Sequence, residues 1–405
     1  MRLLHTSDWH LGQVMYEHGR TWEHARFLAW LLDTLAAERI DALLIAGDVF
    51  DTANPPADAQ AAFFEFLAAA RSRFPALDIV VIGGNHDSAS RLDAPAPLLD
   101  AFRVHVVGGF ATARHVTPVH DAAGRVAAWV CAVPFLRPAD LPHPAAQEDE
   151  GDRLVEGVRR VYTETLAEAR RRRAPGQALV AMGHCYMVGG ATSELSERKI
   201  LGGNQHALPA DIFPDDVAYV ALGHLHLAQE VGGRRGVRYC GSPIPLAMTE
   251  AEYPHQVCVV ELDGELLVDV RAVKIPREVD LVRIGPAPLP DVLLRLRTLP
   301  HRDAIPRERW PYVDIAVDLP GAEPGLRRQV EEALDGRGAR LTRIVPRYTG
   351  TGLALSMPGV DLKSMSVEDV FLRRYARDHR EPPPAGLLEA FHEMVGEASA
   401  LAGVR

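Results

Sequence analysis

The chain has 405 residues and carries 54 Asp plus Glu against 44 Lys plus Arg, a formal net charge of −10. That balance excludes a globally basic nucleic-acid coat. A composition 47% hydrophobic and 24% charged excludes disordered, collagenous and long coiled-coil classes, and the length predicts two or three folding units. The four cysteines, Cys131, Cys185, Cys240 and Cys258, are far apart and form no C-x-x-C pair, so neither a zinc knuckle nor a disulfide framework is expected. Asp8 interrupts the start before an apolar leader segment can form, and no uncharged apolar stretch reaches the roughly 18 residues of a membrane span. The expected location is the cytoplasm.

In chain order, short apolar runs alternate with helix-period segments, the signature of a layered α/β fold. The runs are Leu3 to Leu4, Ala42 to Ala46, Ile79 to Ile82, Ala178 to Met182 and Val217 to Leu222. Phe27, Leu28, Leu31, Leu32 and Leu35 recur at helical spacing after the first. Further helices are predicted over Ala57 to Arg71 and Asp152 to Arg173, with a surface loop from Pro134 to Gly151. Alternating strands are predicted around Val257 to Val260 and Leu266 to Val273. A domain boundary then falls at Lys274 to Arg277.

Beyond it, Val313, Ile315, Val317 and Leu319 read as a strand, Leu326, Val330 and Leu334 as a helix, and Leu341 to Val345 as a strand, together a small α+β unit. The remainder carries two amphipathic helices, one with Val367, Val370 and Phe371, the other with Leu387, Leu388, Phe391, Met394 and Val395. Pro382 to Pro384 separates them.

The tips of the strands carry the chemistry. They read S-D-W-H (Ser7 to His10), A-G-D (Ala46 to Asp48), G-G-N-H-D (Gly83 to Asp87), M-G-H (Met182 to His184) and L-G-H-L-H (Leu222 to His226). Ligands of layered α/β folds bind beyond the carboxyl ends of the strands, so these five tips are expected to converge. Any one tip alone reads as a solvated turn; the five in order predict a metal site. Imidazole, carboxylate and amide oxygen in this number suit two divalent ions, with Asp48 as the natural bridge. Gly47, Gly183 and Gly223 permit the sharp turns. His5 and Trp9 are expected to be structural, and His105, His115, His120, His143 and His255 to be surface or packing residues. Cys185, a soft thiolate beside a hard oxygen and nitrogen set, is not expected to be a ligand.

The series D-x-H, G-D, G-N-H-D, G-H and G-H-x-H resembles that of the calcineurin-like metallophosphoesterases. The opening H-T-S-D-W-H-L-G, the stretch E-R-K-I-L-G-G (Glu197 to Gly203) and above all Y-C-G-S-P-I-P-L (Tyr239 to Leu246) resemble the SbcD family within them, the nuclease subunits of bacterial double-strand-break repair complexes. The resemblance implies an α/β fold: a four-layer β-sandwich flanked by helices (residues 1–275), a small α+β capping domain that meets DNA (276–346) and a C-terminal helical docking region (347–405). It also implies two divalent ions, with manganese expected. One set of ligands is Asp8, His10, Asp48 and His226, the other Asp48, Asn85, His184 and His224, and His86 stands just outside as the catalytic residue.

Relatives outside bacteria often have a further histidine three residues after the bridging Asp. Here Asp51 holds that position, so a capping or supporting role is expected for it. The implied activity is 3′–5′ exonuclease action on duplex DNA and endonuclease action on single strands and hairpins, in repair, recombination and replication. The implied partner is SbcC, an SMC-like ATPase, with a homodimer of this chain inside a heterotetramer. Residues 276 to 350 carry 13 Arg against 11 acids, a balance of +2 that leaves −12 on the rest, so the isolated chain is expected to bind DNA weakly. Other classes share the metal motifs. A cyclic-nucleotide phosphodiesterase or a protein phosphatase would need neither the G-S-P-I-P-L segment nor the C-terminal unit, and a non-catalytic scaffold would not need all seven ligands.

Overall fold

The computed structural model describes residues 1–110, 114–141, 150–188, 207–302, 304–321 and 323–349, with a few positions beyond. The chain begins with β1 (Arg2–Thr6), a short hairpin of β2 (Val14–Met15) and β3 (His18–Gly19), and α1 (Thr21–Ala37). Next come β4 (Ala42–Ala46), α2 (Ala57–Arg73), β5 (Asp78–Ile82), the short helices α3 (Ala89–Asp93) and α4 (Ala96–Asp100), β6 (Val104–Val107), β7 (Val116–His120) and β8 (Val126–Ala132). They are followed by α5 (Glu150–Arg172), β9 (Ala178–His184), β10 (Tyr219–Gly223), β11 (Gln229–Val231), β12 (Arg234–Tyr239), β13 (Gln256–Asp263) and β14 (Leu266–Lys274). The chain continues with β15 (Leu281–Pro288), α6 (Leu289–Arg297), β16 (Tyr312–Leu319), α7 (Leu326–Leu334) and β17 (Arg340–Tyr348).

Two six-stranded sheets, ordered β14-β13-β1-β4-β5-β6 and β11-β12-β10-β9-β8-β7, lie face to face. Leu3, Leu44, Val80 and Cys258 of one meet Val130, Val180, Met182 and Ala221 of the other in a shared apolar layer. The opposite face of the first sheet is covered by α1 and α2 through Phe27, Leu31, Phe63 and Phe66, and that of the second by α5 through Val158, Val161, Tyr162 and Leu166. The result is four layers, helix, sheet, sheet and helix. Its inner strands β4, β5 and β9 are buried along their whole length, which is why they read as unbroken apolar runs.

The differences from the sequence reading are local. The strand predicted over Val217 to Leu222 begins at Tyr219 and includes Gly223, and α5 starts at Glu150, inside the predicted loop. β6, β7, β8, β11 and β12 lie where the apolar pattern makes no assignment. β7 contains Pro118, admissible because β7 is an edge strand, and β11 has only three residues.

The described residues form two compact units, Met1–Asp318 with Pro324–Arg347, and Leu319–Glu323 with the residues from Tyr348 onward. In the first, β15, β16 and β17 form a three-stranded sheet carrying α6 and α7. Tyr312 and Val279 pack there with Met15 and Met248 of the sandwich. In the second, Phe371 and Leu387 are helical and the Phe371 ring stacks on Phe391 at 4.1 Å. Val367, Val370, Leu388, Met394 and Val395 of the two predicted helices lie outside the described residues, as do the stretch Glu197 to Gly203 and His143. Among the described residues no helix is long and apolar enough to cross a membrane.

Candidate metal centre

The chain leaves β1 for Asp8 and His10, β4 for Asp48, β5 for Asn85 and His86, β9 at His184 and β10 for His224 and His226. All eight candidate residues gather at the carboxyl edge shared by the two sheets. The first two tips run side by side: the Asp8 N–H donates to the Gly47 carbonyl at 3.0 Å and the His10 N–H to the Asp48 carbonyl at 3.0 Å. Four of the eight hold left-handed backbone, Asp8 (φ 53°), His10 (46°), Asp48 (48°) and His224 (103°). Such conformations cost about 1–3 kcal/mol each in a non-glycine residue and persist where the surroundings over-determine them. Gly47 and Gly223 are required by contact: a Cβ at Gly47 would overlap the His184 ring, and one at Gly223 the Ala46 carbonyl.

The ligand atoms converge closely. Asp48 Oδ2 lies 3.5 Å from His10 Nε2 and 3.3 Å from His184 Nε2, while its other oxygen accepts the His86 N–H at 2.8 Å. Asn85 Oδ1 lies 3.0 Å from both His184 Nε2 and His224 Nδ1. Atoms about 2.0–2.2 Å from one ion stand roughly 3–3.5 Å from each other, which is the spacing seen here. Asp8, His10 and His226 form one group close enough to hold an ion, and Asp8, Asp48 and His184 another.

The nitrogens that face away from the centre are fixed. His184 Nδ1 meets the Ala46 carbonyl at 2.9 Å, His10 Nδ1 the Asp51 carboxylate at 3.2 Å and His226 Nδ1 the Glu250 carboxylate at 2.9 Å. Partners of this kind hold the second nitrogen in the form and direction that a metal needs. His10 Nε2 is buried with no hydrogen-bond partner, a cost a bound cation removes. The donor set therefore fits a pair of divalent ions.

Two residues outside the predicted set complete the site. Asp87 accepts the N–H groups of Val49, Phe50 and Gly84 at 3.1, 2.9 and 2.9 Å, tying the loop after β5 to the loop after β4. Burial and the Asp48 charge push its carboxyl up to about 6 against those three bonds. Glu250, fully buried, is a residue that motif reasoning misses: it lies 24 positions after His226, and only its following the G-S-P-I-P-L segment marks it.

Asp51 supports His10 with its carboxylate and accepts the His86 Nδ1–H at its carbonyl, 2.7 Å away. His5 and Trp9 are buried and structural, bonded to Tyr219 and Thr6. His105, His115, His120 and His255 bond to groups outside the centre, His255 being buried. Cys185 faces Met187, and burial pushes its thiol up to about 12.

Electrostatics set the proton inventory of the metal-free site. Burial alone would raise the Asp48 carboxyl, but His184, His10 and His86 hold it well below its usual range. Burial opposes the charge on His184 too, yet Asp48 and Asp8 push it up to about 9, whereas burial and the His184 charge lower His224 to about 3. Below about pH 9 His184 thus keeps a proton that loading must expel. Metal affinity is expected to rise about tenfold per pH unit from this group until pH 9 is reached and not beyond. Calorimetry near pH 7.5 in buffers of different ionisation enthalpy should report about one proton released per loading; no release would contradict the assignment.

Comparison with known proteins agrees with this geometry. The model of the calcineurin-like phosphoesterase family matches residues 1–228, and that of the type 5 capsule protein repressor C-terminal domain matches residues 277–379. The chain is similar to the SbcD subunit of the SbcCD nuclease of Rhodobacter capsulatus, 39% identical over 383 residues that cover 92% of this chain and 93% of the relative. It is 31% identical to the same subunit of Escherichia coli K12 over 410 residues, 99% of this chain and all of the relative. The Bacillus subtilis subunit is 37% identical over 266 residues, 64% of this chain and 66% of the relative. With one family model covering more than half of its length and the Rhodobacter and Escherichia relatives matching nearly all of it, the chain belongs to the calcineurin-like phosphoesterases and, within them, to the SbcD subunits of SbcCD nucleases.

Proposed function

We propose that the chain is a dinuclear metal-dependent DNA nuclease that cuts phosphodiester bonds, with Asp8, His10, Asp48 and His226 holding one ion and Asp48, Asn85, His184 and His224 the other. The observation that carries this is the place of Asp48 Oδ2, between a histidine of each set. Two ions held there, manganese by preference, would supply a nucleophile at neutral pH and polarise the phosphoryl oxygens. The residues do the rest. Asp48 keeps its charge at any neutral pH, and Asp51 and Glu250 fix His10 and His226.

His86, half-buried and with its ring centroid 4.8 Å from that of His10, has Nδ1–H committed to the Asp51 carbonyl, which leaves Nε2 for the substrate. It orients the phosphate and, when Nε2 also carries a proton, stabilises the transition state or gives that proton to the departing 3′ oxygen. Residues 1–275 act as the catalytic domain, 276–346 as a cap flanking the DNA, and 347–405 as the segment that docks on SbcC. The SbcCD name of the relatives supports this partner. The proposed assembly is a heterotetramer built on a homodimer of this chain, working in the cytoplasm as a 3′–5′ duplex exonuclease and a single-strand and hairpin endonuclease.

The test compares manganese-dependent nucleotide release from linear duplex DNA, with and without SbcC and ATP, against hydrolysis of cyclic nucleotides and phosphopeptides. Preferential release from DNA, stimulated by SbcC, is expected; faster turnover of either alternative would replace the nuclease reading. Truncation after Tyr348 is expected to abolish co-purification with SbcC while leaving hydrolysis of a small phosphodiester within about threefold, since the sandwich and most of the cap form one compact unit. Retained co-purification would remove the docking role from the tail.

A further inference from the structure

Four charged side chains are buried together beside the metal centre, where α1 and the G-S-P-I-P-L segment meet β16 and β17. Arg20, Glu23, Glu250 and Arg340 have side chains 0, 5, 0 and 3% exposed. Arg20 grips Glu23 through two bonds, of 3.1 and 2.7 Å, and the Tyr312 hydroxyl donates to the same carboxylate at 2.7 Å. The Arg340 guanidinium lies 3.8 Å from the centre of the Tyr312 ring and 3.9 Å from Glu23, with Nη2 buried and without a hydrogen bond.

The set is neutral only when complete. Arg20, Glu23 and Glu250 belong to the sandwich, and Arg340 and Tyr312 to the small α+β unit. The sandwich supplies two anions and one cation to the cluster and Arg340 the balancing charge, and loss of a balancing charge from a buried site is strongly destabilising.

The cluster also runs without a break to the metal centre. Glu250 receives His226 Nδ1 on one oxygen and the Leu246 N–H, at 2.8 Å, on the other. The Leu246 carbonyl accepts from Gln13 at 3.1 Å, Gln13 accepts from Arg20 at 2.9 Å, and Arg20 also holds the Pro245 carbonyl. The links between Glu250 and Arg20 are hydrogen bonds joined through the Leu246 backbone, and Arg340 joins the cluster by its charge and its contact with the Tyr312 ring. We propose that Glu250 is a positioning residue for His226 and that the Arg20–Glu23 pair, completed by Tyr312 and Arg340, makes the position of His226 depend on seating of the α+β unit. The proposal rests on reading His226 as a metal ligand.

The test uses the full chain and Mn²⁺ alone, with binding followed by calorimetry. Glu250→Gln is expected to weaken binding about 10–100-fold, the usual cost of losing a partner that orients a ligand. Tyr312→Phe, which removes one hydroxyl about 290 positions from Glu23 in sequence, is expected to weaken it about threefold to tenfold. Adding Tyr312→Phe to Glu250→Gln should then cost nothing further, because the path is already cut. Arg340→Met should behave like Tyr312→Phe, and Arg340→Lys, which keeps the charge, should restore most of the affinity; the Arg340 pair decides the matter if Tyr312→Phe fails to fold. His226→Ala is the reference: unchanged Mn²⁺ binding there removes the metal-site reading itself. With that reference weakened, Tyr312→Phe binding Mn²⁺ within twofold of the parent, or adding in full to Glu250→Gln, overturns the coupling.

Discussion

Replacing Asp48 with alanine is expected to lower hydrolysis of both duplex DNA and a small phosphodiester by about 10⁴-fold or more. The size follows from its position. Asp48 has an oxygen within 3.5 Å of a histidine of each set, so its loss is expected to weaken both ions rather than one. Each 1.36 kcal/mol of lost transition-state stabilisation is a tenfold loss of rate, and a pair of ions supplies several kcal/mol. The fold should survive, because the sheet beneath the site is buried independently of this side chain. The measurement is thermal unfolding with and without manganese alongside the rate. The parent should gain stability from the metal by mass action and the Asp48→Ala chain should not. A variant that keeps metal-induced stabilisation and more than a tenth of the rate would disprove the bridging role.

The second large effect is expected at His86, and it differs in kind. His86→Ala should leave manganese binding within about threefold yet reduce DNA hydrolysis by about 10²–10⁴-fold, the range of a lost proton-transfer group. Its ring bonds to a backbone carbonyl rather than to a ligand atom, so the metal set stays whole. The substrate provides a further discrimination. A nitrophenyl phosphodiester leaves as a weakly basic anion and needs little protonation, whereas the 3′ oxygen of DNA needs it in full. The loss should therefore be much smaller on the nitrophenyl ester. Equal losses on the two substrates would assign His86 to phosphate binding alone.

The strand ends were legible because of a physical constraint. A side chain that must meet others from distant parts of the chain is best placed just after a buried strand, and Asp8, Asp48, Asn85, His184 and His224 each come two to four residues after an apolar run. The buried inner strands were legible for the same reason. β11 and β12 were not, since a half-exposed strand such as Arg234–Tyr239 has little apolar signal of its own. Glu250 and the Glu23–Tyr312 contact were hidden for a different reason. Their partners are fixed by tertiary packing, across 24 and 289 positions respectively, and nothing in the local pattern announces a pairing of that kind.

The place of β1 has a consequence for biosynthesis. β1 is not at a sheet edge: it lies between β4 and β13, and Leu3, Leu4 and His5 pair with Val260, Val259 and Cys258. A ribosome releases β1 first and β13 some 250 residues later, so a central strand waits through most of translation with one row of backbone groups unpaired. Pairings of such long range also form slowly. Asp8 is carried on the end of that strand, and His226 emerges only shortly before its partner β13. A site built from Asp8 and His226 would accordingly be complete only after more than half of the chain has been made, and until β13 arrives the nascent chain exposes an unpaired strand of the kind that aggregates.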